Sequence, residues 1–167
     1  KKGKGSKIAR DSTLMVRKGP EITRNSLLIS PISNFDLFNA VKKLKIKNSG
    51  VFMRDKLPPK KNNIETGIIN LDKESGPGTH WVAYAIDPRG IIYFDSYGLA
   101  PPTEFLKYTS SMQSIPIWNS TLPTQKLTDP PICGREVLSI LDAISKSTNP
   151  PHKIVHEYTT LSHLNRY

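Results

Sequence analysis

The chain has 167 residues, 37% of them hydrophobic and 23% charged, with one cysteine and a net charge of +10. That length suits one domain with one core, and no apolar run approaches the ~18 residues of a membrane span. A single cysteine excludes an internal disulfide framework and any thiolate zinc cluster within the chain.

Residues 1–25 are polar, basic and without period, and are expected to form a flexible arm ahead of a single domain over 26–167. The chain starts on Lys1 rather than Met, so trimming or processing is expected, and no signal-peptide pattern is seen. Ser33 to Ile46 reads as a helix, with Ser33 as cap, Asp36 three residues on, and an apolar stripe of Phe35, Phe38, Val41 and Leu44. Residues 55–64 are a loop rich in Pro and Lys. Strands are expected at Thr66–Asp72, His80–Ile86 and Ile91–Asp95, with a loop over 73–79. A helix follows at Thr103–Met112 and a short strand at Ile115–Asn119. Gly134–Lys146 has a helical stripe of Val137, Leu138, Leu141 and Ile144, starting directly after Cys133. From Asn149 the chain reads as polar and loop-like. The order of elements predicts an α+β domain.

The hairpin carries the first chemical signal. Asp87-Pro88-Arg89-Gly90 suits a four-residue loop on a type I turn. That loop pairs Ile86 with Ile91 and Tyr84 with Tyr93, then Val82 with Asp95 and His80 with Tyr97. Side chains alternate with period two, so His80, Val82 and Asp95 fall on one face. His80 and Asp95 become diagonal neighbours within ~8 Å. A carboxylate there would fix the imidazole's tautomer and stabilise its cationic form. Cys133 reads two ways, as a small buried hydrophobe or as a nucleophile. Its place at a helix start favours the second, because unpaired N–H groups and the helix dipole there stabilise a thiolate and an oxyanion. Gly134 leaves that backbone uncrowded. Cys133, His80 and Asp95 together predict nucleophilic attack on an acyl carbon.

The ordered set Gly67-Ile68-Ile69-Asn70, Gly78-Thr79-His80-Trp81-Val82-Ala83-Tyr84-Ala85, Tyr93-Phe94-Asp95-Ser96-Tyr97-Gly98-Leu99 and Cys133-Gly134 resembles the adenovirus endopeptidase (adenain) family. That family belongs to the clan of ubiquitin-like-protein proteases. The set also resembles the adenain-like proteases of adintoviruses and Maverick/Polinton elements. The resemblance spans roughly residues 48–146. It implies an α+β peptidase fold, with a mixed or antiparallel central sheet and the cysteine-bearing helix packed on it. It implies Cys133 as nucleophile, His80 as general base, Asp95 as the acid orienting it and Gln125 as the oxyanion-hole glutamine, with Trp81 beside the substrate cleft. Gln125 lies eight residues before Cys133, where the family spacing is usually six or seven; Gln113 is a poorer candidate for that role.

The resemblance further implies an endopeptidase cutting after small residues or glycine, maturing viral capsid and core precursors in the virion and host nucleus. Outside a virus, an intracellular protein is expected. No cofactor is required by the sequence, although the family's use of DNA and of an activating peptide leaves room for both. Such a peptide would bind noncovalently, since the one cysteine is the proposed nucleophile. Three basic clusters fit contact with nucleic acid: residues 1–18, Lys42/Lys43/Lys45/Lys47 and Arg54/Lys56/Lys60/Lys61. Each also reads as an ordinary solvated surface. Protein substrates, no membrane and a monomer are expected. His152 and His156 have the i,i+4 spacing of some zinc sites, but their polar, Pro-flanked setting predicts a tail, and no metal is expected. Two rivals stand beside the endopeptidase. One is a ubiquitin- or SUMO-like-protein deconjugase. The other is an inactive, basic virion or nucleic-acid-binding structural protein.

Overall fold

The computed structural model describes residues 32–59 and 62–165, so the arm expected over 1–25 lies outside the described residues. Helix α1 (Asn34–Lys43) starts at Ser33 in the expected capping box. The Ser33 hydroxyl accepts from the Asp36 N–H at 3.2 Å, and the Asp36 carboxylate accepts from the Ser33 N–H at 3.0 Å. The helix buries Leu37 and Val41, not the expected stripe: Phe35 is 71% exposed, and Phe38 and Leu44 also face out. Two apolar lines share Val41 on this helix. Packing against strand β1 (Ser49–Met53) and the Cys133 helix selects the line that runs through Leu37.

Strand β1 itself is not visible in the sequence pattern. All five of its residues are half-buried, so it lacks the alternation that marks a strand with one wet face. The other strands are β2 (Glu65–Asn70), β3 (Trp81–Asp87), β4 (Gly90–Phe94) and β5 (Ile117–Trp118). They form one mixed sheet in the order β1-β2-β3-β4-β5, parallel at its two outer pairs and antiparallel within. The β3–β4 register pairs Ile86 with Ile91 and Tyr84 with Tyr93, as expected. The loop is shorter than expected. Asp87 pairs with Gly90, leaving only Pro88 and Arg89 between strands. The Asp87 carboxylate accepts from the Arg89 N–H at 2.7 Å, and Gly90 takes a φ of 149° to close the turn.

Helix α2 (Thr103–Thr109) covers one face of the sheet, where Phe105 and Tyr108 pack on Val82, Tyr84 and Tyr93. The other face carries α1, α3 (Cys133–Lys146) and α4 (Pro151–Leu164). The class is α+β, with the Cys133 helix packed against a mixed sheet, as expected. In α3, Val137, Leu138 and Leu141 are buried on Trp81, Ala83 and their neighbours. A Cβ at Gly134 would stand 3.2 Å from Ile32, so glycine lets the helix start pack closely against that residue. Helix α4 corrects the reading of a loop-like tail. Pro151 sits at a first-turn position where its missing N–H costs nothing. Ile154, Val155 and Thr159 are buried, and Tyr158 meets Phe94 edge-on at 5.9 Å. No described helix is long and apolar enough to cross a membrane.

Leu37→Ala and Leu141→Ala, both at fully buried positions, are expected to cost about 2–5 kcal/mol each in denaturant unfolding. Phe35→Ala is expected to cost no more than about 0.5 kcal/mol. The reverse ranking would restore the Phe35 stripe as the buried face.

Candidate active site

His80 is the residue before β3 and Asp95 the residue after β4, so the antiparallel pairing brings both to the same end of the sheet. Continued alternation would extend the α2 face through them, whereas Cys133 and Trp81 belong to the α3 face. The groups meet because they lie off the strand ends, where no strand separates the two faces.

His80 Nε2 lies 2.9 Å from Asp95 Oδ1. The other ring nitrogen, Nδ1, is thereby left for Cys133. The Tyr97 ring lies against the imidazole at 4.7 Å between centroids, tilted by 33°. Asp95 is fully buried. Its Oδ1 also accepts from the Tyr97 N–H at 2.7 Å. The turn after it closes through Gly98 N–H to Asp95 C=O at 2.8 Å. Gly98 has a φ of 73°, and a Cβ there would stand 3.0 Å from the Asn119 carbonyl, so both conformation and space require glycine.

Asn119 is a member of the site that sequence reasoning missed. Its Oδ1 accepts from the Asp95 N–H at 3.1 Å and its Nδ2 donates to the Asp95 C=O at 2.8 Å. It thus satisfies the Asp95 peptide on both sides, as a neighbouring strand would. The one signal for it is its place directly after β5, but only the parallel β4–β5 register (Tyr93 with Trp118) brings it alongside Phe94, next to Asp95.

The electrostatics favour an ion pair. Burial pushes the His80 pKa down. The Asp95 hydrogen bond, the Cys133 hydrogen bond and the charges of both overcome this and raise it to about 9. Burial likewise opposes a Cys133 thiolate. The His80 hydrogen bond, the Trp81 and Gly134 N–H groups and the His80 charge outweigh it, and the thiol falls below its ordinary value. The arrangement brings together the thiol, the imidazole and the carboxylate expected from the sequence.

Comparison with known proteins finds three similarities. A 45-residue stretch, 25% of this chain, is 42% identical to a cysteine protease of African swine fever virus, and it spans 16% of that protein's length. Among solved structures, the ASFV pS273R protease gives a TM-score of 0.49 at 17% identity, over 80% of this chain and 66% of that one. The SUMO protease Ulp1, with its catalytic cysteine oxidized to a sulfonic acid, gives 0.43 at 16% identity, over 80% and 76%. No protein-family profile matches the chain.

Gln125 is buried in the connection that leads to Cys133. Its Oε1 accepts from the Ser96 hydroxyl at 2.9 Å, and its Nε2 donates to the Pro130 C=O at 3.1 Å. The Ser96 C=O accepts from the Thr124 and Gln125 N–H groups at 2.8 and 2.9 Å. Ser96 therefore ties the residue after Asp95 to this connection, a local bonding role rather than that of a second nucleophile. The long Gln125–Cys133 spacing is taken up by an outward turn. Asp129 N–H donates to Lys126 C=O, the Asp129 carboxylate accepts from Lys126 N–H, and Leu127 is 89% exposed. Trp81 is 7% exposed and donates from Nε1 to the Ile32 C=O at 3.2 Å. It is at once core and a wall of a cavity of about 280 Å³ beside Cys133. His152 and His156 are exposed on α4 and flank a separate groove, away from Cys133.

The thiolate–imidazolium pair exists above the lowered thiol pKa and below the raised imidazole pKa of about 9. The alkylation of Cys133 by iodoacetamide should therefore rise with a midpoint below the ~8.5 of a free cysteine. A second change is expected as the pH rises through about 9 and the imidazolium loses its proton. A single ordinary-thiol titration would exclude the ion pair.

Proposed function

We propose that this chain is a cysteine peptidase. The observation that carries the reading is the 2.9 Å His80–Asp95 bond beside a thiol at the start of α3. The Cys133 thiolate attacks the scissile carbonyl carbon. The carbonyl electrons move onto oxygen, which the Cys133 N–H and a Gln125 Nε2 hydrogen stabilise. Pro130 takes one of the two Gln125 amide hydrogens and leaves the other for this purpose. As the C–N bond breaks, imidazolium His80 gives its proton to the leaving amine. Water then attacks the thioester, His80 takes its proton, and the acid departs with Cys133 restored.

The finer reading is an endopeptidase that cuts after small residues or glycine in viral precursors. It is supported by the adenain-type motif set and by the short stretch shared with a viral cysteine protease. Virion or nuclear residence, and a noncovalent peptide activator, would follow from it. Lys42, Lys43, Lys45 and Lys47 are exposed and could meet nucleic acid. Arg54 and Lys56 are engaged with Glu104 and Glu74, which weakens the case for their cluster. The deconjugase rival shares the chemistry and differs only in substrate. The inactive rival fits poorly with a thiol whose surroundings lower its pKa.

Cleavage of a fluorogenic peptide with glycine before the reporter should vanish in Cys133→Ala. It should fall about 10²–10³-fold in kcat for Gln125→Ala. Labelling of Cys133 by a peptide electrophile should slow to the rate of a free thiol in His80→Ala; unchanged labelling would end the peptidase reading. A ubiquitin-family reporter cut in preference to the short glycine peptide would favour the deconjugase.

A further inference from the structure

Asn70, the last residue of β2, is 1% exposed, and its side-chain oxygen is fully occupied. Oδ1 accepts from the Asp72 N–H at 2.8 Å and from the Thr79 N–H at 3.2 Å, which pins the two ends of the loop that delivers His80. Two backbone donors on one atom settle which end of the amide is oxygen. The NH₂ group is therefore directed elsewhere, and it donates to no group among the described residues. It is not one of the buried polar atoms left without a partner, so it keeps access to the solvent before it, where a ligand's acceptor can take water's place.

What lies before it is the cavity beside Cys133. Asn70, Gly78, Trp81, Cys133 and Gly134 all line that space, and His80 is not among its lining residues. Gly78 adopts a φ of 80°, and a Cβ there would stand 3.1 Å from Asn70 Nδ2. Glycine thus keeps the amide uncovered. The imidazole must face the leaving amine, so a cavity that reaches the thiol without including the imidazole lies on the acyl side of the scissile bond.

We propose that Asn70 is a substrate-binding residue whose Nδ2 donates a hydrogen bond to a main-chain carbonyl of the acyl-side peptide, two or three residues before the cut. The ligand is an extended peptide backbone, recognised whatever its side chains. This rests on the peptidase reading, and its test separates the two.

The probe is an N-acetyl-glycyl-glycine vinyl sulfone, with two analogues that each have one acyl-side carbonyl reduced to CH₂. On the native protein, one analogue should label Cys133 about tenfold more slowly than the parent, the worth of one neutral hydrogen bond. Asn70→Asp keeps an oxygen for Asp72 and Thr79 but removes the donor. It should label slowly with the parent and show no further loss with that analogue, each rate taken relative to the same protein's iodoacetamide rate so that the added carboxylate's effect on the thiol cancels. If Asn70→Asp lowers the unfolding midpoint, the comparison is made at a temperature well below both midpoints. Equal labelling by all three probes on the native protein, or the same analogue penalty in the variant, overturns the proposal. Failure of the parent probe to outpace a free thiol overturns the peptidase reading instead.

Discussion

Asp95 is removed from water altogether, and a carboxylate in that position must be given hydrogen bonds and a compensating charge. The Tyr97 N–H supplies one bond and His80 supplies the other, both to Oδ1. Oδ2 has no hydrogen-bond partner among the described residues, so the imidazolium is the cation that balances it. The backbone of Asp95 is held by Asn119 and by the Gly98 turn. The residue after it, Ser96, anchors Gln125 and so the approach to Cys133. One buried carboxylate thus sets the orientation of His80, the turn beside it and the connection that leads to Cys133.

The thiol is influenced from the opposite side of the sheet. Helix α3 packs on the Trp81 face, and the Trp81 and Gly134 N–H groups favour the thiolate form of Cys133. Desolvation alone would disfavour both charged forms. Each becomes favourable only in the presence of the other, which is why the His80 and Cys133 shifts have opposite signs and a shared cause. The Asn70 side-chain oxygen organises the loop before His80, and the same residue lines the cavity beside Cys133.

Several elements were legible because their signals are local. Ser33 and Asp36 cap α1 through contacts three residues apart. The turn at Asp87–Gly90 determines the β3–β4 register, and with it the approach of His80 to Asp95, even though the loop is two residues long rather than four. The stripe of α3 is strong enough to locate the helix and to put Cys133 at its start. Other elements were hidden for physical reasons. Strand β1 is evenly half-buried and shows no alternation. Pro150-Pro151 resembles a break but opens α4, because proline is as comfortable at a helix start as outside one. In α1, two apolar lines share Val41, and periodicity cannot choose between them.

The sequence by itself therefore determined the local elements, the hairpin that aligns His80 with Asp95, and the helix start that holds Cys133. Each follows from contacts within a few residues along the chain or across one tight turn. Only the tertiary structure decided that Asn119 secures Asp95, that Gln125 bonds Ser96 ahead of an outward turn, and that Asn70 lines the Cys133 cavity. Those depend on the β4–β5 register, on loop paths and on the closeness of α3 to the sheet. These are distances set by packing between segments far apart in the chain, and they leave no periodic trace in the order of residues.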